Sequence, residues 1–118
     1  EIGSRFYIHA RNAADAVLFI VTKLPPVFYD EEHTVPDRYN IVGEIELDNL
    51  SLARLVAKVL NKPLEYQFVD FPKDRPGHDK RYSLSGEKLA GFGWSPPHDF
   101  ETSLRTTVEW TLKNPSWK

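Results

Sequence analysis

The chain has 118 residues, 41% hydrophobic and 27% charged, the make-up of one modest globular domain with a real core. Its net charge of −2 gives no overall pull toward nucleic acid or an anionic membrane, so any anion site must be built from a few placed basic residues. With no cysteine there are no disulfides, thiolate nucleophiles or zinc–sulfur sites, and no apolar run approaches the ~20 residues of a membrane span. A reducing, cytoplasmic location is expected. The sequence starts at Glu1, reads as having no signal peptide and contains no methionine, from which a processed or trimmed piece of a longer protein is expected.

Ser4–Ala10 is aromatic and β-branched enough to predict a strand. Asn12 is placed to cap a helix running to Leu24, where Pro25 and Pro26 stop it. That helix is apolar on nearly every side and is expected to be buried in a larger assembly. A loop rich in proline and acid follows, over Pro25–Asp37. Arg38–Val42 predicts a short strand, and Asn49 and Ser51 signal a second helix with Leu52, Leu55, Val56, Val59 and Leu60 on one face. Asn61 and Pro63 close it. Leu64–Asp70 alternates loosely and predicts a third strand. Ser85–Ala90 suggests a short helix ended by Gly91. Asp99 caps a final helix with Phe100, Leu104, Val108 and Leu112 spaced by four, supported by Glu101–Arg105 and Glu109–Lys113 pairs and ended by Pro115. This order indicates an α/β protein whose early part belongs to a parallel sheet.

The most informative stretch is Asp74-Arg75-Pro76-Gly77-His78-Asp79-Lys80-Arg81-Tyr82. Pro76 and Gly77 force a tight turn, and Arg75, His78 and Arg81 crowd onto it. A guanidinium beside exposed backbone amides suits a phosphate, because its planar fork grips two oxygens at once. The competing reading is a solvated loop with Arg75 and Arg81 paired to Asp74 and Asp79. On residue chemistry alone the solvated loop is the stronger of the two.

The same stretch resembles the DRPGHDxRY signature of the dTDP-glucose 4,6-dehydratases, in the extended short-chain dehydrogenase/reductase family. Other blocks agree in order. Arg5 through Ala16 resembles R-x-F-I-H-V-x-D-x-A-x-A, and Tyr39 through Gly43 with Glu46, Asn49 and Leu50 resembles YNIGGxxExxNL. Gly93 through Pro96, then Phe100, Leu104, Thr107 and Trp110, resembles GWxPxxxFxxGLxxTVxWY. Sister UDP-glucose 4-epimerases and UDP-glucuronate decarboxylases share the first and last blocks. Glu46 and Asn49 together with DRPGHDxRY favour the dehydratases.

The resemblance implies the C-terminal portion of a Rossmann-type enzyme, its last strand–helix elements plus the small lobe that covers a nucleotide sugar. Residues 1–118 would form that single unit, without the NAD-binding part. Carried over by position, Arg5 would contact the nucleotide, Asn40 would line the same pocket through its amide, Arg75 would clamp the pyrophosphate, Tyr82 would pack nearby and His78 would order the turn. The plainer alternatives are a surface charge at a strand end for Arg5, a turn residue for Asn40 and a hydrogen-bonded structural histidine for His9. Four departures stand out: Asn12 for the usual aspartate, Val42 for a glycine, a Lys88–Trp94 segment shorter by one residue, and a longer Pro25–Asp37 loop, read as an insertion.

Catalytic machinery is missing from the sequence. The six glycines form no GxxGxxG or GxGxxG, and no tyrosine is followed four residues later by lysine. Glu31/Glu32 and Asp70/Asp74 read as solvated acids, and the four histidines show no HxxxH or HExxH, so no metal is expected. In the parent enzyme, by resemblance, hydride passes from the hexose C4 to NAD, water leaves across C5–C6 and hydride returns at C6. The fragment alone is expected neither to bind NAD nor to be active. Its expected partner is a nucleotide-diphosphate sugar, with no nucleic acid and no membrane. The parent is expected to be a homodimer, and the isolated helix over residues 13–24 to drive self-association. The alternatives are a non-catalytic nucleotide-sugar or protein-binding module, or part of a sister epimerase or decarboxylase.

Overall fold

The computed structural model describes residues 3–25, 32, 35–68 and 81–117. Strand β1, Ser4–Phe6, is followed by helix α1, Ala10–Lys23, strand β2, Glu46–Asp48, and helix α2, Asn49–Leu60. Strand β3, Arg81–Tyr82, helix α3, Glu87–Gly91, and helix α4, Phe100–Lys113, complete the set, with a 3₁₀ turn over Pro115–Trp117. The α/β class holds, but the sheet is mixed. Its order is β2-β1-β3, with β1–β2 antiparallel and β1–β3 parallel.

The first strand ends earlier than its composition predicts because α1 begins at Ala10. His9, extended at φ −76° and ψ 142°, is the cap: its Nδ1 accepts from the Arg11 amide at 3.1 Å. Asn12 is therefore inside the helix and not its cap. It is 4% exposed, and its amide grips one residue of a distant loop, donating to His98 O at 2.7 Å and accepting from His98 N at 3.2 Å. An aspartate would reproduce only the accepting half. Asn12→Asp should cost ~1–3 kcal/mol at neutral pH, because His98 O is left unpaired. In urea unfolding curves the loss should shrink at acid pH, where the protonated carboxyl donates again; an equal loss at all pH values would refute that role.

α1 stops at Lys23 because Leu24 precedes Pro25 and is held extended, at φ −99° and ψ 137°. The strand expected over Arg38–Val42 does not form. That segment is clasped sideways instead: Lys88 Nζ reaches the Asp37 carboxylate, donates to Arg38 O at 3.1 Å and lies 4.7 Å from the centre of the Tyr39 ring. β2 is acidic, a composition depleted in strands, and exists through its pairing with β1. Its last residue, Asp48, caps α2, one position before the expected Asn49: Oδ1 accepts from the Ser51 amide at 2.8 Å. Asn61 closes α2 in the left-handed conformation, φ 51° and ψ 46°, as its sequence position predicts.

Leu64–Phe68, expected to be a strand, is irregular, with Tyr66 and Phe68 more than half exposed; Val69 and Asp70 lie outside the described residues. Gly91 is the last residue of α3, and the reversal comes two residues later at Gly93, φ +93°. Asp99 caps α4 as expected, accepting from the Thr102 amide at 2.8 Å, and Glu101–Arg105 approach to 3.9 Å.

The buried apolar cluster is small: Ala16 of α1, Leu89 of α3 and Trp94, flanked by Ile8, Phe19, Ile20, Leu24, Tyr39 and Ile41. The Trp94 indole N–H donates to Asp15 Oδ1 at 2.9 Å, so the ring is buried with its polar atom satisfied. The rest of α1 is not covered. Val17, Leu18 and Val21 are 52, 61 and 72% exposed, so the burial that the apolar helix demands is not supplied within these residues. No described helix is long and apolar enough to cross a membrane.

Candidate nucleotide-sugar site

β1 carries the site on two faces. Register pairs Ser4 with Asp48 and Arg81, and Arg5 with Leu47 and Tyr82. Side chains alternate along a strand, so Ser4 and Arg81 share one face and Arg5 and Tyr82 the other. On the first face Glu46 accepts from Ser4 Oγ at 2.6 Å and takes a two-pronged contact from Arg81, Nε at 2.6 Å and Nη2 at 2.7 Å. A strand of two residues pairs weakly, and a one-residue slip would turn Tyr82 to the wrong side. The Glu46–Arg81 fork holds that register.

On the opposite face the Arg5 guanidinium lies 4.3 Å from the centre of the Tyr82 ring while Nη1 donates to Ser4 O at 2.6 Å. The stack fixes the cation's orientation. A cleft of about 230 Å³ opens here, lined by Arg5, Phe6, Ile41, Val42, Tyr82, Ser83 and Leu84. Ligand pockets usually run to roughly 300–1,000 Å³, so this one is the size of a subsite. Asn40 stands beside it: the amide Nδ2 donates to Ser85 O at 3.1 Å and ties the 40–43 segment to the chain leaving β3. Val42 presses on the same chain, where a Cβ on Gly86 would sit 3.3 Å from it, and its side chain forms part of the cleft wall.

The Arg81 fork and the Ser4 hydroxyl hold the Glu46 carboxyl at about 2, well below the usual carboxylate value of 4.5. Its contribution to stability is therefore complete above pH 4.5 and is lost as pH falls from there through about 2. Glu46→Gln should flatten the acid limb of stability against pH in that window. An unchanged limb would show that the fork adds nothing to the fold.

A larger cleft, about 410 Å³, lies between α2 and α4, walled by Ile45, Leu55, Val59, Phe100 and Leu104 with Lys58, Asp99, Glu101 and Arg105 beside them. Phe100 and Leu104 belong to the last sequence block, but the cleft contains none of the residues that the motifs assign to ligand binding. The smaller cleft joins Arg5 to Tyr82 and contains the end of the DRPGHDxRY run, which makes it the candidate site despite the difference in volume.

The chain is 32% identical over 119 aligned positions to dTDP-glucose 4,6-dehydratase 1 of Escherichia coli, covering 96% of this chain and 30% of that protein. It is 41% identical over 92 positions to the dTDP-glucose 4,6-dehydratase of Haemophilus influenzae, covering 70% of this chain and 27% of the other. No family model matches the chain. The crystal structure of a Bacillus anthracis dTDP-glucose 4,6-dehydratase in complex with NAD superimposes with a TM-score of 0.73 at 28% identity, over 98% of this chain and 33% of that one. The chain is thus similar to part of the dTDP-glucose 4,6-dehydratases. It spans about a third of the length of the relatives it matches.

Of the residues expected at a dehydratase-like site, the fold brings Arg5 and Tyr82 into one stack and places Asn40 at its flank. Arg75 and His78 lie outside the described residues. His9, expected to be structural, is the α1 cap. Sequence reasoning missed the Glu46–Arg81 fork. It noted both residues, Glu46 in one motif and Arg81 in another, but only the β2-β1-β3 order puts them on one face. It also missed Ile41 as cleft wall: the residue lies within the YNIGG-like block, but an apolar side chain there gives no chemical signal.

Proposed function

We propose that this chain forms the nucleotide-sugar-binding lobe of a dTDP-glucose 4,6-dehydratase. The observation that carries the reading is the Arg5–Tyr82 stack at a subsite-sized cleft, Tyr82 being the last residue of the DRPGHDxRY sequence run. In that role Arg5 and Arg75 hold the diphosphate, Tyr82 orients Arg5, and Asn40 and Val42 border the nucleotide. Grip on the unreactive end of the substrate fixes the hexose in one pose and so lowers the entropic part of the barrier.

The residues of this chain do not fit NAD. Tyr7, Ile8 and His9 join β1 to α1, β2 runs straight into α2, and residues 83–86 join β3 to α3 with the single glycine Gly86, so none of the three described strand-to-helix junctions has the glycine-rich turn a dinucleotide pyrophosphate needs. No step through NAD is assigned to these residues. In the proposed enzyme the cofactor, which supplies hydride transfer, belongs to another part of the protein, and the uncovered Val17–Leu18–Val21 stripe supports such a neighbour. A cytoplasmic homodimer acting on a nucleotide-diphosphate sugar is the setting in which we place it.

Calorimetric titration with dTDP-glucose and UDP-glucose, beside Arg75→Ala, tests the lobe. Binding in the micromolar to millimolar range that weakens tenfold or more on substitution supports it. A cooperatively folded sample that binds neither ligand leaves a module with protein contacts only.

A further inference from the structure

A second polar hollow lies at the junction of α1 and α4. Its volume is about 160 Å³ and its lining is His9, Arg11, His98, Thr102, Ser103 and Thr106. None of the six is apolar and none is acidic. It shares no residue with the Arg5–Tyr82 cleft, and the nucleotide reading makes no use of it.

We propose that this hollow binds a small tetrahedral oxyanion: an inorganic sulfate or phosphate, or the phosphoryl end of a phosphomonoester. Arg11 supplies the charge. Its guanidinium is in no ion pair among the described residues, and its backbone is fixed in the first turn of α1. The α1 cap prepares the next donor: because His9 Nδ1 accepts from the Arg11 amide at 3.1 Å, the proton of the neutral ring sits on Nε2. His98 is held in place from below, its amide and carbonyl both gripped by the buried Asn12 side chain.

The independent observation is Ser103. It is 7% exposed, lines the hollow, and its buried Oγ has no hydrogen-bond partner among the described residues. Proteins rarely leave a buried hydroxyl unpaired, and such an atom calls for a bound group or water to complete it. The carboxylates around the start of α4 oppose an anion but are engaged elsewhere: Asp99 with the Thr102 amide at 2.8 Å, Glu44 with the Phe100 amide at 2.8 Å, and Glu101 with Arg105 at 3.9 Å. With those acids one turn away, millimolar affinity is expected.

The test is a titration of the intact chain with sodium sulfate against sodium chloride at constant ionic strength, followed by two-dimensional NMR. Saturable shifts confined to Arg11, His98, Thr102, Ser103 and Thr106, lost in Arg11→Ala and weakened at least threefold in Arg11→Lys, support the site. Ser103→Ala separates binding from packing: the alanine variant should melt higher without sulfate yet gain less when sulfate is added. Phosphate and methyl phosphate form further arms. Tighter binding of methyl phosphate assigns a phosphomonoester end, and exclusion of it assigns the free ion. Shifts that grow linearly without saturating, or saturation unchanged in Arg11→Ala, overturn the proposal. Displacement of sulfate by dTDP would also overturn it, since the hollow would then belong to the nucleotide cleft.

Discussion

Gly43→Ala is expected to destabilise the chain by about 3 kcal/mol or more, among the largest effects of any single methyl group here. A Cβ at residue 43 would sit 2.1 Å from Tyr7 O and 2.8 Å from Tyr7 C. Both are backbone atoms just after β1, so no side chain can swing aside to make room. The segment that carries Ile41 and Val42 would have to lift from β1, opening the cleft as well as lowering stability. Gly91→Ala is the matched control. Nothing lies within 4 Å of a Cβ there, and the residue ends a helix, where alanine is preferred by up to ~1 kcal/mol. Chemical denaturation of the two variants decides the matter. Gly43→Ala within ~0.5 kcal/mol of the wild type would mean that the 40–43 segment is not seated against β1 as described.

Leu89→Ala should cost about 3–4 kcal/mol. Leu89 is 1% exposed and sits with Ala16 and Trp94 in the one fully buried apolar cluster among the described residues. Truncation leaves a hole between α1 and α3 that Ala16 is too small to fill. Since single domains are stable by only ~5–15 kcal/mol, a loss of this size consumes much of the margin of so small a core. Leu89→Met keeps the volume and should cost under ~1.5 kcal/mol. Equal losses for the two variants, read from unfolding curves, would show that cavity formation is not the cause.

The helices were legible because their signals are local. Asp99 caps α4, Asn61 ends α2 in the left-handed conformation, and Pro25 forces Leu24 out of α1. The strands were not, because each depends on a partner far along the chain. Leu64–Phe68 has a strand-like alternation but pairs with no strand among the described residues, whereas Glu46–Asp48 and Arg81–Tyr82 look unlike strands and form them beside β1. Asn12 misled for a similar reason. An asparagine ahead of an apolar run signals a cap, and only the fold shows that His98, 86 residues away, is its partner. At the site, Arg5 and Tyr82 were legible from motifs. The chemistry that seats them, the Glu46–Arg81 fork and the Gly43–Tyr7 contact, joins residues about 35 apart in each case and is written in no local pattern.

The central claim is that the Arg5–Tyr82 cleft holds a nucleotide diphosphate. The most direct test is to titrate the isotope-labelled chain with dTDP and map the amide shifts, with Arg5→Ala as the variant. The account predicts saturable shifts at Arg5, Ile41, Val42, Tyr82 and Ser83, weakened tenfold or more in Arg5→Ala. Shifts that fall instead on Leu55, Val59 and Leu104 in the α2–α4 cleft, or a folded Arg5→Ala variant that binds dTDP as well as the wild type does, would contradict it.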